Sequence, residues 1–341
     1  MTKRRDLVLA LWALGAATYG NTQQPSAGKL KRIGMISDLP SKLTAIEAPA
    51  WKPFWSALST KGWTVGRNLV YGPEYRELEH QRLATLANKL VLDGVDLILS
   101  WNEEPTMAAA RATQSIPILF WQVAWPLELG LIDSFARPGR NVTGIASFVG
   151  PEIRVKQVEY LRQVAPNAKR LSWIQGERSW LYETLAGGRF DYSAALDPLI
   201  KRLGFEPSYH LVPAPQDIDA ALAEVAASRA QVLMATGTST FFVRERIAEF
   251  ALRQRLPSAV QYREAVEAGM LLALSTTAAE NAAMDVRAAG LADRLLRGEN
   301  PADIPVEWPS RFELVINLKT ARILGLTIPK ELLLRADEVI Q

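Results

Sequence analysis

The sequence contains no cysteine. That absence excludes thiolate metal sites, cysteine nucleophiles, disulfide bridges and lipid attachment through a lipobox cysteine. Histidine is nearly as scarce. His80 and His210 are the only two, too few for a His-rich metal centre or a histidine relay. An excess of one charge is missing as well: 39 Lys and Arg stand against 36 Asp and Glu, a formal net charge of +3, and Lys3, Arg4 and Arg5 against Asp6 supply +2 of it. A body carrying about +1, with its signs interspersed, lacks the concentrated basic surface that displaces counterions from phosphate, so no nucleic acid partner is expected. Catalytic signatures are absent too. There is no Gly-x-Ser-x-Gly elbow, no His-Glu-x-x-His zinc pair, no Gly-Lys-Ser or Gly-Lys-Thr phosphate loop, and no Gly-x-Gly-x-x-Gly after the first predicted strand. No cofactor is expected, and composition leans toward binding over catalysis.

What is present is an ordinary globular mix, 48% hydrophobic and 22% charged over 341 residues. That length is about twice a typical single domain, which predicts two lobes rather than one core. At the N-terminus, Thr2-Lys-Arg-Arg5 precedes an apolar or small run from Leu7 to Thr18 and a polar stretch from Asn21 to Lys29. This three-part profile predicts a secretory signal, with cleavage after Ala17 or after Gly20. Arg4 and Arg5 followed by Leu7 to Leu9 resemble a twin-arginine export signal. The run is shorter than the roughly 20 residues a spanning helix needs, and no other stretch reaches that length. The expected product is periplasmic or secreted and not an integral membrane protein.

Behind the export segment, apolar strands alternate with amphipathic helices. Arg32–Ser37 reads as a buried strand, 50–61 as a helix, 68–75 as a strand, and Leu83, Leu86, Ala87, Leu90 and Val91 as one helix face. Asp96–Ser100 and Pro117–Trp121 are further strands, with a helix through Met107 and Ala110 between them. The plan repeats: Ile218, Ala221, Leu222 and Val225 line a helix, Gln231–Ala235 forms a strand, Phe241–Arg253 a helix and Pro257–Val260 a strand. This is the signature of βαβ units and predicts an α/β protein of two Rossmann-like lobes with parallel sheets. Turn formers in Arg137-Pro-Gly-Arg-Asn-Val-Thr-Gly144 place a hinge near Gly144 to Gly150.

Ligands of open parallel sheets sit beyond the carboxyl ends of the strands. The predicted strand ends therefore nominate Ser37 and Asp38; Trp101, Asn102 and Glu103; Gln122 and Trp125; Ser147; Gln175; Thr236, Gly237, Thr238 and Ser239; and Gln261 and Tyr262. Each has a plainer reading. The turn Thr236-Gly-Thr-Ser-Thr240 either caps a helix or offers N–H groups and hydroxyls to a small anion. Trp101, Trp121 and Trp125 either pack in the core or at the rim or stack on a flat ligand, with Tyr262 facing them from the other lobe. Glu103 and Glu104 either complement a helix dipole or meet a ligand ammonium. Adjacent on one helix, they do not face one target, so acid–base catalysis has little support. Arg263 either takes a ligand carboxylate or forms an ion pair at the surface.

The segments Asp96–Ile118, Ala136–Gly144, Tyr262-Arg-Glu-Ala-Val-Glu-Ala-Gly269, and the tail from Arg311 through Pro329 to Arg335–Ile340 resemble the ABC transporter substrate-binding protein family that includes tryptophan and tyrosine binders. The resemblance runs from about Lys31 to Gln341. It implies the periplasmic binding protein-like I fold, two α/β lobes joined by crossing strands around a small molecule. The corresponding division is residues 1–28 as signal and linker, 29–147 with about 272–300 as lobe I, and 148–271 with about 301–341 as lobe II. The chain departs from the family where ligand sits. Trp101-Asn-Glu-Glu104 replaces a Thr-Gly-Thr-Pro type of turn, Ala124-Trp-Pro-Leu127 replaces Gly-Asp-Pro-Val, and Met270-Leu-Leu-Ala-Leu-Ser275 replaces Gly-Leu-Met-Ser-Tyr-Gly. A changed ligand follows, in a smaller, flatter or more apolar pocket. The resemblance implies a receptor that passes a small organic solute, with aromatic solutes among the candidates, to ABC permease and ATPase subunits. The alternative is a periplasmic sensing module that signals to a membrane sensor kinase.

Overall fold

The computed structural model of the chain describes residues 30–38, 44–77, 80–147, 152–176 and 181–341. The predicted export segment lies outside the described residues, as do Phe148 and Gly150 of the predicted hinge. Among the described residues, no helix is long and apolar enough to cross a membrane.

The first sheet is built from β1 (Lys31–Ser37), β2 (Leu69–Arg76), β3 (Leu97–Trp101), β4 (Ile118–Val123) and β5 (Val142–Ala146), all parallel, in the order β2-β1-β3-β4-β5. Strands covered on both faces read as continuous apolar runs, as Leu97-Ile-Leu does. Between them run α1 (Lys52–Thr60), α2 (His80–Leu92) and α3 (Glu103–Ala112). One sheet face packs Leu83, Leu90 and Met107 against Ile98 and Phe120. The other packs Phe54 and Leu58 against Ile33, Leu99 and Trp121.

The chain then crosses to α4 (Glu152–Val164) and a second sheet. Its strands are β6 (Arg170–Gln175), β9 (Glu206–Leu211), β10 (Val232–Thr236), β11 (Ser258–Val260), β12 (Leu272–Thr276), β13 (Phe312–Asn317) and β14 (Glu338–Ile340). The order is β14-β13-β12-β11-β10-β6-β9, with β13 antiparallel to β12. A hairpin of β7 (Leu181–Glu183) and β8 (Arg189–Asp191) is inserted after β6. The helices are α5 (Tyr192–Arg202), α6 (Ile218–Ala227), α7 (Thr238–Phe242), α8 (Arg244–Arg253), α9 (Arg263–Glu267), α10 (Ala278–Leu296), α11 (Leu318–Leu324) and α12 (Lys330–Leu333).

Two details differ from the reading of the sequence. The segment 272–300, expected in lobe I, divides: β12 adds to the second sheet beside β11, and only α10 returns to the first lobe. There α10 buries Met284, Ala288, Ala292 and Leu295 in the cluster that holds Phe54 and Leu58. The chain stays with the first lobe as far as Glu307, whose backbone exchanges hydrogen bonds with Gly144 and Ala146. The other difference is that the expected helix 241–253 is two helices, broken at Val243 with φ −122°. The first turn is pinned to the cleft by Ser239 N–H on the Gly176 carbonyl and Ser239 Oγ on that of Pro213. The second follows its own apolar face, Ile247, Ala248 and Ala251.

Candidate functional site

The carboxyl ends of the two sheets face each other. From the first lobe come Asp38 beyond β1, Asn102 beyond β3, Gln122 in β4 and Ser147 beyond β5. From the second come Gly176 beyond β6, Gly237, Thr238 and Ser239 beyond β10, and Gln261 and Tyr262 beyond β11. The lips touch: Asn102 Nδ2 donates to Asp38 Oδ1 at 2.8 Å and reaches Thr238 Oγ1 at 3.4 Å.

Backbone strain gathers here. Asn102 sits at φ 68°, ψ 178°, a conformation nearly confined to glycine, and Gln122 at φ 59°. The turn beyond β10 has the same shape, φ 89° and ψ 163°, but places glycine there, at Gly237. A Cβ on Gly237 would lie 2.8 Å from the Gly176 nitrogen, so two backbones meet where a side chain would intrude.

The cleft has two arms. The smaller, about 730 Å³ with its open mouth included, is lined by Asp38, Asn102, Glu103, Trp125, Gly237 and Ser239 together with residues shared with the larger arm. Trp125 is 4% exposed and packs on Phe190 and Tyr192 of the second lobe, ring centroids 5.3 and 5.1 Å away. It fills space and leaves little for a ligand to stack on. Glu103 is buried, and its Oε1 accepts the Ala124 N–H at 2.7 Å, which pins the loop beyond β4.

The larger arm, about 1,570 Å³ measured the same way, is walled by Trp51, Trp101 and Trp121 from one lobe and by Phe241, Tyr262 and Phe312 from the other. Trp51 meets Trp101 at 5.5 Å and 53° and Trp121 at 5.0 Å and 58°. The indoles form a corner, in which Trp121 is core and Trp101 is half-buried. Gln122, Ser147, Arg154, Thr238, Gln261 and Tyr262 line both arms.

Three of the nominated residues lie off these walls. Ser37 is fully buried, and its Oγ has no hydrogen-bond partner among the described residues. Thr236 Oγ1 accepts the Trp173 indole N–H at 2.8 Å and donates to Gln175 Oε1, so Thr236 and Gln175 brace the core behind the lip. Strand side chains alternate between the faces of a sheet, so a residue at the end of a strand can point into the packing while the next turn faces the cleft.

Residues the sequence did not nominate complete the site. Arg154 on α4 is 4% exposed; it donates to Gln261 Oε1 at 2.9 Å and to Gln157 Oε1 at 3.3 Å. Gln261 Oε1 also accepts the Gly237 N–H at 3.0 Å, so one amide ties α4 to the lip. Nothing local marked Arg154, because Glu152-Ile-Arg-Val-Lys-Gln reads as a solvated helix. Asp285 on α10 opens on the larger arm. Burial raises its carboxyl from the usual 3.8 to about 7, although the Trp121 indole N–H opposes the shift. Arg263 is taken by its own lobe: Glu338 at 2.7 Å, and Glu267 and Glu313 each at 3.2 Å, hold it firmly protonated. Among the described residues no group of three His, Cys, Asp or Glu is placed to hold a metal ion. The arrangement can bind flat apolar groups and a few polar ones.

Comparison with known proteins agrees with this geometry. A tyrosine-binding protein from Clostridioides difficile (strain R20291) is 24% identical over 312 residues, covering 92% of this chain and 86% of its own. A crystal structure of an ABC domain in complex with L-Trp from Streptococcus pneumonia superposes with a TM-score of 0.70 at 20% identity, over 90% of this chain and 100% of that one. A conserved domain protein from Vibrio cholerae gives 0.73 at 22%, over 91% and 100%. These likenesses show the two-lobed fold of periplasmic binding proteins. The family model for ABC transporter substrate binding proteins matches residues 49–340, and the chain therefore belongs to that family, whose members bind solutes and are not enzymes.

Proposed function

We propose that the protein is an extracytoplasmic receptor that captures a small organic solute with a flat, apolar face and delivers it unaltered to a membrane permease driven by an ATPase. The observation that carries this reading is the larger arm of the cleft, where aromatic side chains of both lobes face one another beyond the strand ends and amides and hydroxyls are interspersed among them. Apolar faces bury the ligand, and a few polar groups fix its orientation. Contacts to Trp101 on one lobe and Tyr262 on the other are made together only when the lobes are closed, so the ligand shifts the protein toward the closed form. The segments that cross near Ser147, Thr276 and Trp308 serve as the hinge. The basic and apolar N-terminus provides the route out of the cytoplasm. The family is one of substrate-binding proteins and lends no support to a sensor module.

A thermal-shift screen of the processed protein against tyrosine, tryptophan, benzoate and other aromatic solutes tests the proposal, since a ligand of the native state raises the melting temperature. At least one solute should do so, and Trp101→Ala and Tyr262→Ala should weaken its binding while the protein stays folded. Full affinity in both variants would place the ligand elsewhere.

A further inference from the structure

We propose that the tryptophan-walled arm of the cleft takes a ligand bearing a positively charged nitrogen, with Asp285 as its counter-ion. The proposal rests on the solute-receptor reading and narrows its substrate class. Asp285 lies on the third turn of α10, next to Met284, which is buried in the first-lobe core. Its carboxylate faces the arm walled by Trp51, Trp101 and Trp121. Its polar partner there is the Trp121 indole N–H, and no Lys, Arg or His pairs with it among the described residues.

The other charged groups around this arm do not supply the missing cation. Arg263 is bound to Glu267, Glu313 and Glu338. Arg154 belongs to the second lobe and is bonded to Gln261 and Gln157. Glu264, exposed, carries the same sign as Asp285. On the first-lobe wall Asp285 is thus the one charged group, among indoles and the uncharged polar side chains of Gln122, Ser147 and Asn281.

That pairing is selective. A carboxylate held among apolar groups is costly to ionise, and its raised pKa expresses the cost. If the wall only had to hold apolar surface, an uncharged residue would serve better. An ammonium or quaternary ammonium entering the corner gains on two counts: it pairs with the acid, and it lies against the half-buried Trp101, whose indole face attracts cations more strongly than those of other aromatic residues. The protein gains as well, because the ligand supplies the charge that Asp285 lacks. A neutral or anionic ligand of the same shape keeps the apolar contact and forgoes or reverses the electrostatic part.

Three probes that share an indole and differ in the charge of a short side chain make the test: tryptamine, a cation; tryptophol, its neutral analogue; and indole-3-acetate, an anion. Isothermal titration at pH 8 with the processed protein should show tryptamine binding about tenfold or more tighter than tryptophol, and indole-3-acetate weakest. D285N should erase the difference between tryptamine and tryptophol, with its melting temperature confirming a folded protein. Equal affinities in the wild type, or a preference for tryptamine that survives D285N, would overturn the proposal. If none of the three binds while tyrosine or benzoate raises the melting temperature, the cation proposal fails and the receptor reading stands. If no solute of any kind binds, the receptor reading itself fails.

Discussion

The two lobes repeat one strand order and present different chemistry at the cleft. In each, counting strands within the lobe and leaving out the hairpin, the parallel part runs 2-1-3-4-5, to which the second lobe adds β13 and β14. The third strand of each ends in the same left-handed turn, at Asn102 in one and at Gly237 in the other. Beyond that shared backbone they part. The first lobe offers indoles and the carboxylates of Asp38 and Asp285 beside the amides of Asn102 and Gln122; the second offers a guanidinium, hydroxyls, Gln261 and Tyr262. Strand order follows from how βαβ units pack and resists change, whereas loops at the strand ends vary without disturbing the core. Each lip can therefore specialise for one side of a guest.

Substitutions that treat the lobes unequally sharpen or break this contrast. Trp121→Ala should cost the most, about 3–5 kcal/mol, because it empties a core position behind the first lip. Urea unfolding measures it, and a cost below about 1 kcal/mol would mean that Trp121 belongs to the lip rather than to the core. Gly237→Ala should cost about 1–3 kcal/mol, since a Cβ there enters a glycine conformation and meets the Gly176 backbone. Asn102→Gly is the mirror experiment. It should stabilise by about 1 kcal/mol, the relief of strain outweighing the lost bonds to Asp38 and Thr238. If both glycine positions respond alike, the lips are not differentiated in the way described.

A further effect is a matter of pH. Asp285 titrates near 7 in the folded protein against 3.8 as an ordinary carboxyl. The folded state therefore binds the extra proton in that window, and stability contributed by this group falls as pH rises through it. Asp285→Asn should melt above the wild type at pH 8 and level with it at pH 4. Melting curves at the two pH values check this, and a variant that is less stable at pH 8 would contradict the burial of an unpaired charge.

The alternation up to Trp121 and from Ile218 to Val260 was legible because its strands are buried on both faces and read as apolar runs bounded by turn formers. By contrast β9, Glu206-Pro-Ser-Tyr-His-Leu211, lies at the edge of its sheet, and its polar residues hide it. The inserted hairpin left no mark either. It reaches across to the first lobe, where Leu185 N–H bonds the Leu129 carbonyl at 2.9 Å and Arg111 bonds that of Glu183 at 2.8 Å, contacts that depend on the two lobes being brought together. Within the cleft, strand ends located the lips but not the direction of each side chain, which is why Thr236 turns inward and Thr238 does not. Arg154 and Asp285 come from helices whose local pattern reads as solvated charge; only tertiary packing turns them toward the cleft.

A receptor of the proposed kind holds one organic guest in its cleft and gives it back unchanged. Native mass spectrometry of the protein mixed with tyrosine, tryptophan, benzoate and tryptamine tests this. The predicted result is a single adduct equal to the chain plus one intact solute, released on denaturation at its original mass. No adduct with any of these solutes, or a released mass that differs from the one supplied, would contradict it.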